Sequence, residues 1–449
     1  MRSLRFLGEM RTWTGLARIW LPTALGSSML VLEIPVAAAA VARSAAGAQG
    51  LAAFGVAIAI LVVANSPALA ITPLVVADAE RGPSLRTLRY AAAVGIVTAA
   101  VLVLLVSVPE FRAALGGGLA LSGDLTAAVR DCLLALAPAS IAVAVRRYLH
   151  GRLIAARRTG GISAATVTRL VISAVIVWAL VLSAPWLGAT AGGFALCAGA
   201  VAEATVLAVS VRRLRQPFVP GVTRLSRMVR RHAALAATRA LNMAPQLVTT
   251  IGVTHSLRPG PSLVVWPGLY GLLALFTGPV SDLESVVAGH VQRTGDRRAA
   301  VHLTAVLAFA FAAVYLAVVL STIGTAYLRQ FVGTPAEETA LGLRWAPLAL
   351  AVPALWVLRS AQRGLVIASG RMASLVRGVV AHAAVLAGVT ALLTFGPLTG
   401  VANAYLAITA GLAAESAVIA VLHRRYAAGA ERGDSPLRTD SARKDEALP

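Results

Sequence analysis

Acidic residues are scarce in this chain: 19 against 40 basic ones among 449 residues. Charged residues of both signs make up only 13%, about half of what a soluble globular domain carries. That deficit excludes a soluble enzyme and a disordered chain. Lysine is almost missing, with Lys444 its only occurrence, so the positive charge is carried by arginine. Two cysteines, Cys132 and Cys197, both lie in apolar stretches, which excludes a disulfide framework and a CxxC metal site. There is no GxxxxGK[ST] phosphate loop, GxSxG elbow or HExxH helix, so ATP hydrolysis and the common hydrolase chemistries have no residues to carry them. His150, His255, His290, His302 and His382 show no metal-ligand spacing and read as background. No cofactor is expected. Although the net charge is +21, the arginines sit between apolar segments, which orients a membrane protein more economically than it binds nucleic acid.

Hydrophobic residues make up 58% of the chain. A bilayer core needs about 20 apolar residues per helix. Twelve stretches qualify, at 16–42, 50–79, 86–108, 126–155, 162–185, 190–211, 233–256, 262–291, 299–321, 339–368, 373–395 and 400–422. The fold expected is all-α: a polytopic membrane protein of twelve transmembrane helices. The basic N-terminus, without a short cleavable apolar region, reads as leading into an uncleaved first helix. Every second connection is arginine-rich: the N-terminus with Arg2, Arg5, Arg11 and Arg18, then 81–89, 146–158, 212–231, 293–298, 359–371 and Arg424–Arg425. The intervening connections near 44–49, 109–125, 186–190, 257–261, 322–338 and 395–400 read as uncharged or mixed loops. Arginine excess marks the cytoplasmic side, which places both termini there, in a multi-pass plasma-membrane protein. The clusters with Arg146, Arg147 and Arg359 read as topology determinants touching lipid phosphate, with a gate role as the alternative.

Similar segments recur 212 or 213 residues apart. Ser66-Pro67 stands opposite Gly278-Pro279, GRLIA (151–155) opposite GLVIA (364–368), and AGAVAEA around Glu203 opposite AGLAAES around Glu415. Arg146 then faces Arg359. Each repeat holds six spans, so both return to the starting side. The expected domains are a six-helix lobe at 1–211, a basic cytoplasmic linker at 212–231, a second lobe at 232–425 and a disordered tail at 426–449. A pseudo-two-fold axis along the membrane normal would relate the lobes.

Two six-helix lobes, a first span with an acid beside proline, and a small-residue motif ending spans 4 and 10 resemble the MATE-type exporters. More broadly they resemble the superfamily that includes polysaccharide and lipid-linked oligosaccharide flippases. The segment RRYLHGRLIAARRTG (146–160), followed by Arg169, is most similar to the progressive ankylosis branch. The resemblance implies a secondary transporter working by alternating access, with a first-span carboxylate holding the coupling cation. The matching residue here is Glu33.

Charged and polar residues inside spans point to function because burying them is costly. Glu33, two residues before the helix-distorting Pro35, reads either as a H⁺ or Na⁺ site, completed by Asn65, or as a structural hydrogen-bonding acid. Arg239, Asn242, Gln246 and Thr249 are spaced for one helical face and read as the wall of a substrate cleft, with Pro245 interrupting the helix among them. Asp282 and Glu284 join that cleft, one of them pairing with Arg239. Glu203 and Glu415, equivalent by the repeat, read as structural acids. Three cargoes follow. The first is amphiphilic small molecules exported against a H⁺ or Na⁺ gradient; the second, lipid-linked oligosaccharide or polysaccharide precursors; the third, small organic anions. The partners expected are the lipid bilayer and a small-molecule or lipid-linked substrate, without nucleic acid, for a monomer.

Overall fold

The computed structural model describes residues 13–77, 84–156, 158, 160–214, 225–370 and 372–431. Arg2, Arg5, Arg11, Arg81, Arg157, residues 215–224 of the linker and the tail from 432 lie outside the described residues.

Among the described residues, nine helices are long and apolar enough to cross a membrane, and two bent helix pairs bring the number to eleven. In chain order they begin with α1 (Trp13–Val41), α2 (Gly47–Ala64) and its continuation α3 (Ile71–Ala77), and α4 (Leu85–Ser107). Next come the bent pair α5 (Gly123–Leu136) and α6 (Ala139–Ala155), then α7 (Gly160–Ser183) and α8 (Ala189–Arg212). The second half starts with α9 (Leu225–His255), a 31-residue helix too polar to pass the same test. It continues with α10 (Pro259–Thr277), α11 (Leu283–Thr294) and α12 (Arg298–Leu320). The bent pair α13 (Ala336–Trp345) and α14 (Ala351–Ala368) precedes α15 (Met372–Thr394) and α16 (Gly400–Glu431).

Several sequence expectations are corrected. The 109–125 connection is not a plain loop, because Pro109 starts a helix there, Pro109–Gly118. Pro245 does not interrupt α9, which runs through it, as α1 runs through Pro22 and Pro35. Proline removes one ladder bond, and a long helix packed on both sides absorbs that loss. The break in the second span falls instead at Asn65 and Ala70, on either side of the short helix Ser66–Leu69.

The two halves repeat the same neighbours. α6 packs on α3, α4 and α8, and α14 packs on α11, α12 and α16. The α7–α8 pair is matched by α15–α16. Glycines make this repetition exact at the atomic level. A Cβ on Gly151 would stand 2.6 Å from Val75 and 3.1 Å from the Thr72 carbonyl. On Gly364 it would stand 2.8 Å from Val287 and 2.6 Å from the Glu284 carbonyl. Those partners are themselves 212 residues apart, so both helices need a missing side chain at the same contact.

Contacts between the halves run through α1 and α2 against α9, α10 and α11. Gly55 lets α2 lie against Pro267 of α10, where a Cβ would overlap the ring at 2.2 Å. At one end His232 of α9 bridges the Tyr90 hydroxyl at 2.7 Å and the Pro67 carbonyl at 2.8 Å. Towards the other end Arg43, closing α1, donates to the carbonyl of Phe331 at 2.9 Å and to that of Gln330. Leu182, Phe309, Leu392 and Phe395 are strongly exposed on the outer surface, as lipid-facing side chains are.

Candidate functional site

Each half contains one glutamate of its last span that is completely buried, and each such glutamate sits in a cage of two arginines and a histidine. Glu203 on α8 lies 2.5 Å from Arg146 Nη1 and 3.2 Å from Arg169 Nη1, with His150 Nε2 at 3.4 Å. Glu415 on α16 lies 2.7 Å from Arg359 Nε, 2.5 Å from Arg363 Nη2 and 2.9 Å from His382 Nδ1. Arg146 and Arg359 match at a spacing of 213. At the same spacing His150 matches Arg363, and Arg169 matches His382. The two cages therefore have identical composition, with one arginine and the histidine exchanged between two helices.

This corrects two readings of the sequence. Arg146 and Arg359 are not at lipid phosphate; they are 3% and 6% exposed and paired inside the protein. A buried carboxylate forces that outcome, since an unpaired charge there costs several kcal/mol. His150 and His382 are not background either, because each faces a glutamate. The repeat held the signal: the spacing of 213 that matches Arg146 with Arg359 also matches the swapped Arg and His positions.

Glu33 is part of the first-half arrangement. Its carboxylate accepts from Arg169 Nε at 2.9 Å on both oxygens, from Arg169 Nη2 at 2.5 Å and from Ser173 Oγ at 2.7 Å. Gly199 makes room for this, since a Cβ there would meet Ser173 Oγ at 2.0 Å and Glu33 Oε1 at 3.2 Å. Glu33 is thus already neutralised, and a coupling cation would have to displace Arg169. Neither Arg169 nor Ser173 was picked out from the sequence as a partner of Glu33, because they stand 136 and 140 residues away. Asn65 lines the same cavity, buried at 6% exposure, and its Oδ1 has no hydrogen-bond partner among the described residues.

In the second half Asn242 Oδ1 accepts from Arg359 Nη2 at 2.8 Å and Arg363 Nη2 at 3.0 Å, while its Nδ2 donates to the Thr238 carbonyl at 2.9 Å. Two guanidinium donors require an acceptor, so this amide orientation is the one the chemistry demands. The Trp356 ring lies 4.7 Å from the Arg359 guanidinium and lines the same space. Arg239, Asn242 and Gln246 all line this cavity, as the helical spacing implied. Thr249 does not. It is fully buried and bonds back to the carbonyls of Pro245 and Gln246. Glu284 lines the cavity and lies 3.9 Å from Arg363, and Asp282 accepts from Ser27 of α1 instead. Among the described residues neither acid forms an ion pair with Arg239.

Two cavities result. The larger, about 380 Å³, is walled by α9, α10 and α14 and reaches Val31 and Val62 of the first half. The smaller, about 200 Å³, is lined by Glu33, Asn65, Arg146, Arg147 and Arg169 and shares Val62 with the first. Six arginines and four glutamates surround this pair of spaces. Glu33, Glu203, Glu284 and Glu415 are each within ion-pair distance of Arg146, Arg169, Arg359 or Arg363. Arg147 and Arg239 are left over, one in each half, with no ion pair among the described residues. No group of three or more metal-binding side chains occurs among the described residues.

With the geometry in view, solved structures of similar shape can be named. No family model matches the chain, and no curated protein matches its sequence. A structure described as the inward-facing conformation of a multidrug resistance MATE family transporter of the MOP superfamily superposes with a TM-score of 0.64 at 12% identity, covering 91% of this chain and all of that one. Lipid II flippase MurJ, in an inward closed conformation, gives 0.71 at 10% identity, covering 90% and 87%. The eukaryotic MATE transporter AtDTX14 gives 0.65 at 16% identity, covering 93% and 96%. The chain has the MATE and MurJ fold. It is a multi-pass helical membrane protein of that architecture, as the resemblance implied.

Proposed function

We propose that this protein is a secondary transporter that moves an anionic amphiphile across the membrane by alternating access between two six-helix lobes. The observation that carries the reading is the larger cavity, lined by Arg239, Arg359 and Arg363 with a single lining carboxylate, Glu284; with Glu415 behind them counted, one positive charge is in excess. Positive charge fixed in a low-dielectric wall selects against cationic drugs and for phosphate or carboxylate groups. Tyr270, Trp356, Leu273 and Val352 line the rest and supply apolar surface for the remainder of the cargo. This favours the lipid-linked and organic-anion cargoes over cationic drug efflux. The arginine-rich connections support cytoplasmic termini.

Coupling would run through Glu33. A proton placed there would weaken its hold on Arg169 and leave that guanidinium to Glu203, which it already meets at 3.2 Å. Proteoliposomes containing the full chain test the cargo. Fluorescent dodecyl phosphate is expected to be transported at least tenfold faster than a dodecyl trimethylammonium analogue, and Arg239→Gln is expected to erase most of that preference. Preferential transport of the cation would overturn the reading.

A further inference from the structure

The smaller cavity has its own unmet chemistry. Arg147 lines it with a buried Nε that has no hydrogen-bond partner and with no carboxylate in ion-pair range among the described residues. Opposite charges in that space are taken: Glu33 is held by Arg169 and Ser173, and Glu203 by Arg146 and Arg169. Asn65 offers a carbonyl oxygen, buried and unpartnered, into the same space. A buried acceptor left without a donor is costly. The cavity thus presents one surplus cation and one vacant acceptor.

We infer that this first-half cavity is a second binding site, distinct from the Arg239 cavity, for an oxyanion carrying a hydroxyl group. Arg147 is the counter-charge for the oxyanion, and Asn65 accepts from the hydroxyl. A polyol phosphate carries both groups, whether free or as the headgroup of a lipid. The inference deepens the anionic-cargo reading and rests on it for the sign of the charge. It adds a second station and the requirement for a hydroxyl. Phosphate alone satisfies Arg147 only; an uncharged polyol satisfies Asn65 only.

Thermal unfolding of the purified full chain reads this directly, because a ligand bound to the folded state raises Tm by mass action. In neutral detergent, glycerol 3-phosphate is expected to raise Tm at a concentration at least tenfold lower than inorganic phosphate does, and glycerol is expected to be without effect. Arg147→Gln should weaken glycerol 3-phosphate at least tenfold and Arg147→Lys should restore most of it. Asn65→Leu should bring glycerol 3-phosphate down to the level of inorganic phosphate. Arg344→Gln, which removes an exposed arginine elsewhere, controls for net charge.

Nanodiscs separate the two sources. If the group is a lipid headgroup, phosphatidylglycerol raises Tm above phosphatidic acid, and Asn65→Leu removes that difference. If it is a free solute, the two lipids are equal and soluble glycerol 3-phosphate acts in both. Should Arg239→Gln abolish the response while Arg147→Gln spares it, the second site is overturned and the cargo reading survives. Should no anion shift the wild-type Tm in detergent or lipid, both fall.

Discussion

Glu203 and Glu415 stand at matching positions, in cages of the same composition, yet the two cages are balanced differently. In the first half a second carboxylate, Glu33, takes most of Arg169, so two arginines meet two glutamates at distances of 2.5–3.2 Å. In the second half Arg359 and Arg363 share Glu415, and the next carboxylate, Glu284, is 3.9 Å away and about one-third exposed. A neutral amide, Asn242, accepts from the second-half arginines, whereas in the first half an acid, Glu33, accepts from Arg169. The repeat therefore keeps the burial geometry of the cage and changes which groups balance it. One arginine, Arg147 or Arg239, is left over in each half among the described residues.

The sharpest way to break this comparison is to remove the central glutamates. Taking one partner from a buried ion pair costs about 3–5 kcal/mol, because the remaining charge stays buried. Glu415→Ala strands two arginines at once, whereas Glu203→Ala leaves Arg169 its bonds to Glu33. Both are expected to lower the unfolding temperature in detergent, and Glu415→Ala by clearly more. Equal losses would mean that Glu33 does not back up the first cage.

Exchanging the swapped residues tests the equivalence itself. Arg363→His and His382→Arg together would give the second cage the residue order of the first. The double variant is expected to be more stable than the sum of its single variants by about 0.5–3 kcal/mol, the range for residues sharing one network. The matching exchange in the first half, His150→Arg with Arg169→His, is expected to fare worse, since it also strips Glu33 of its arginine. A double-mutant cycle in each half reads both values.

A smaller effect is expected at Gly199 and its counterpart Gly411. A Cβ on Gly199 would meet Ser173 Oγ at 2.0 Å and the Arg169 carbonyl at 3.0 Å; on Gly411 it would meet His382 Cδ2 at 3.1 Å and the His382 carbonyl at 3.2 Å. Gly199→Ala must break the Ser173–Glu33 bond, a loss of about 1 kcal/mol. Gly411→Ala needs only a shift of a few tenths of an ångström. The expected order of Tm loss is Gly199→Ala, then Gly411→Ala.

Much of this difference was open to the sequence, and some of it was not. The spans, Glu33 as a costly acid, the Glu203–Glu415 match and the shared helical face of Arg239, Asn242 and Gln246 follow from hydropathy and helical spacing. Those signals are local, or repeat at one period. The partners of the acids are neither: Arg169 reaches Glu33 across 136 residues and Arg359 reaches Asn242 across 117. Thr249 shows the limit of spacing. It shares a helical face with Arg239, yet ten residues further along the helix that face is covered by packing. Arginines near span ends look alike in sequence whether they meet lipid phosphate or a buried glutamate; only the register of α6 against α8 separates the two.

Asn242 offers the finest test, because it changes charge and little else. Asn242→Asp keeps the shape and supplies an acceptor to Arg359 and Arg363 in the same place. It should alter stability by less than the loss of a glutamate, since new Coulomb attraction is offset by burying another charge. Its effect should fall on the cavity instead, where it cancels one unit of the positive excess. Transport of dodecyl phosphate is expected to drop about tenfold, the equivalent of ~1.4 kcal/mol, with Tm nearly unchanged. Asn242→Ala separates the two roles of the amide. It frees the guanidiniums without neutralising them, so the charge preference should persist while the affinity weakens. Equal transport by the Asp variant and the native chain would mean that the amide holds the arginines in place but has no part in setting the charge of the cavity.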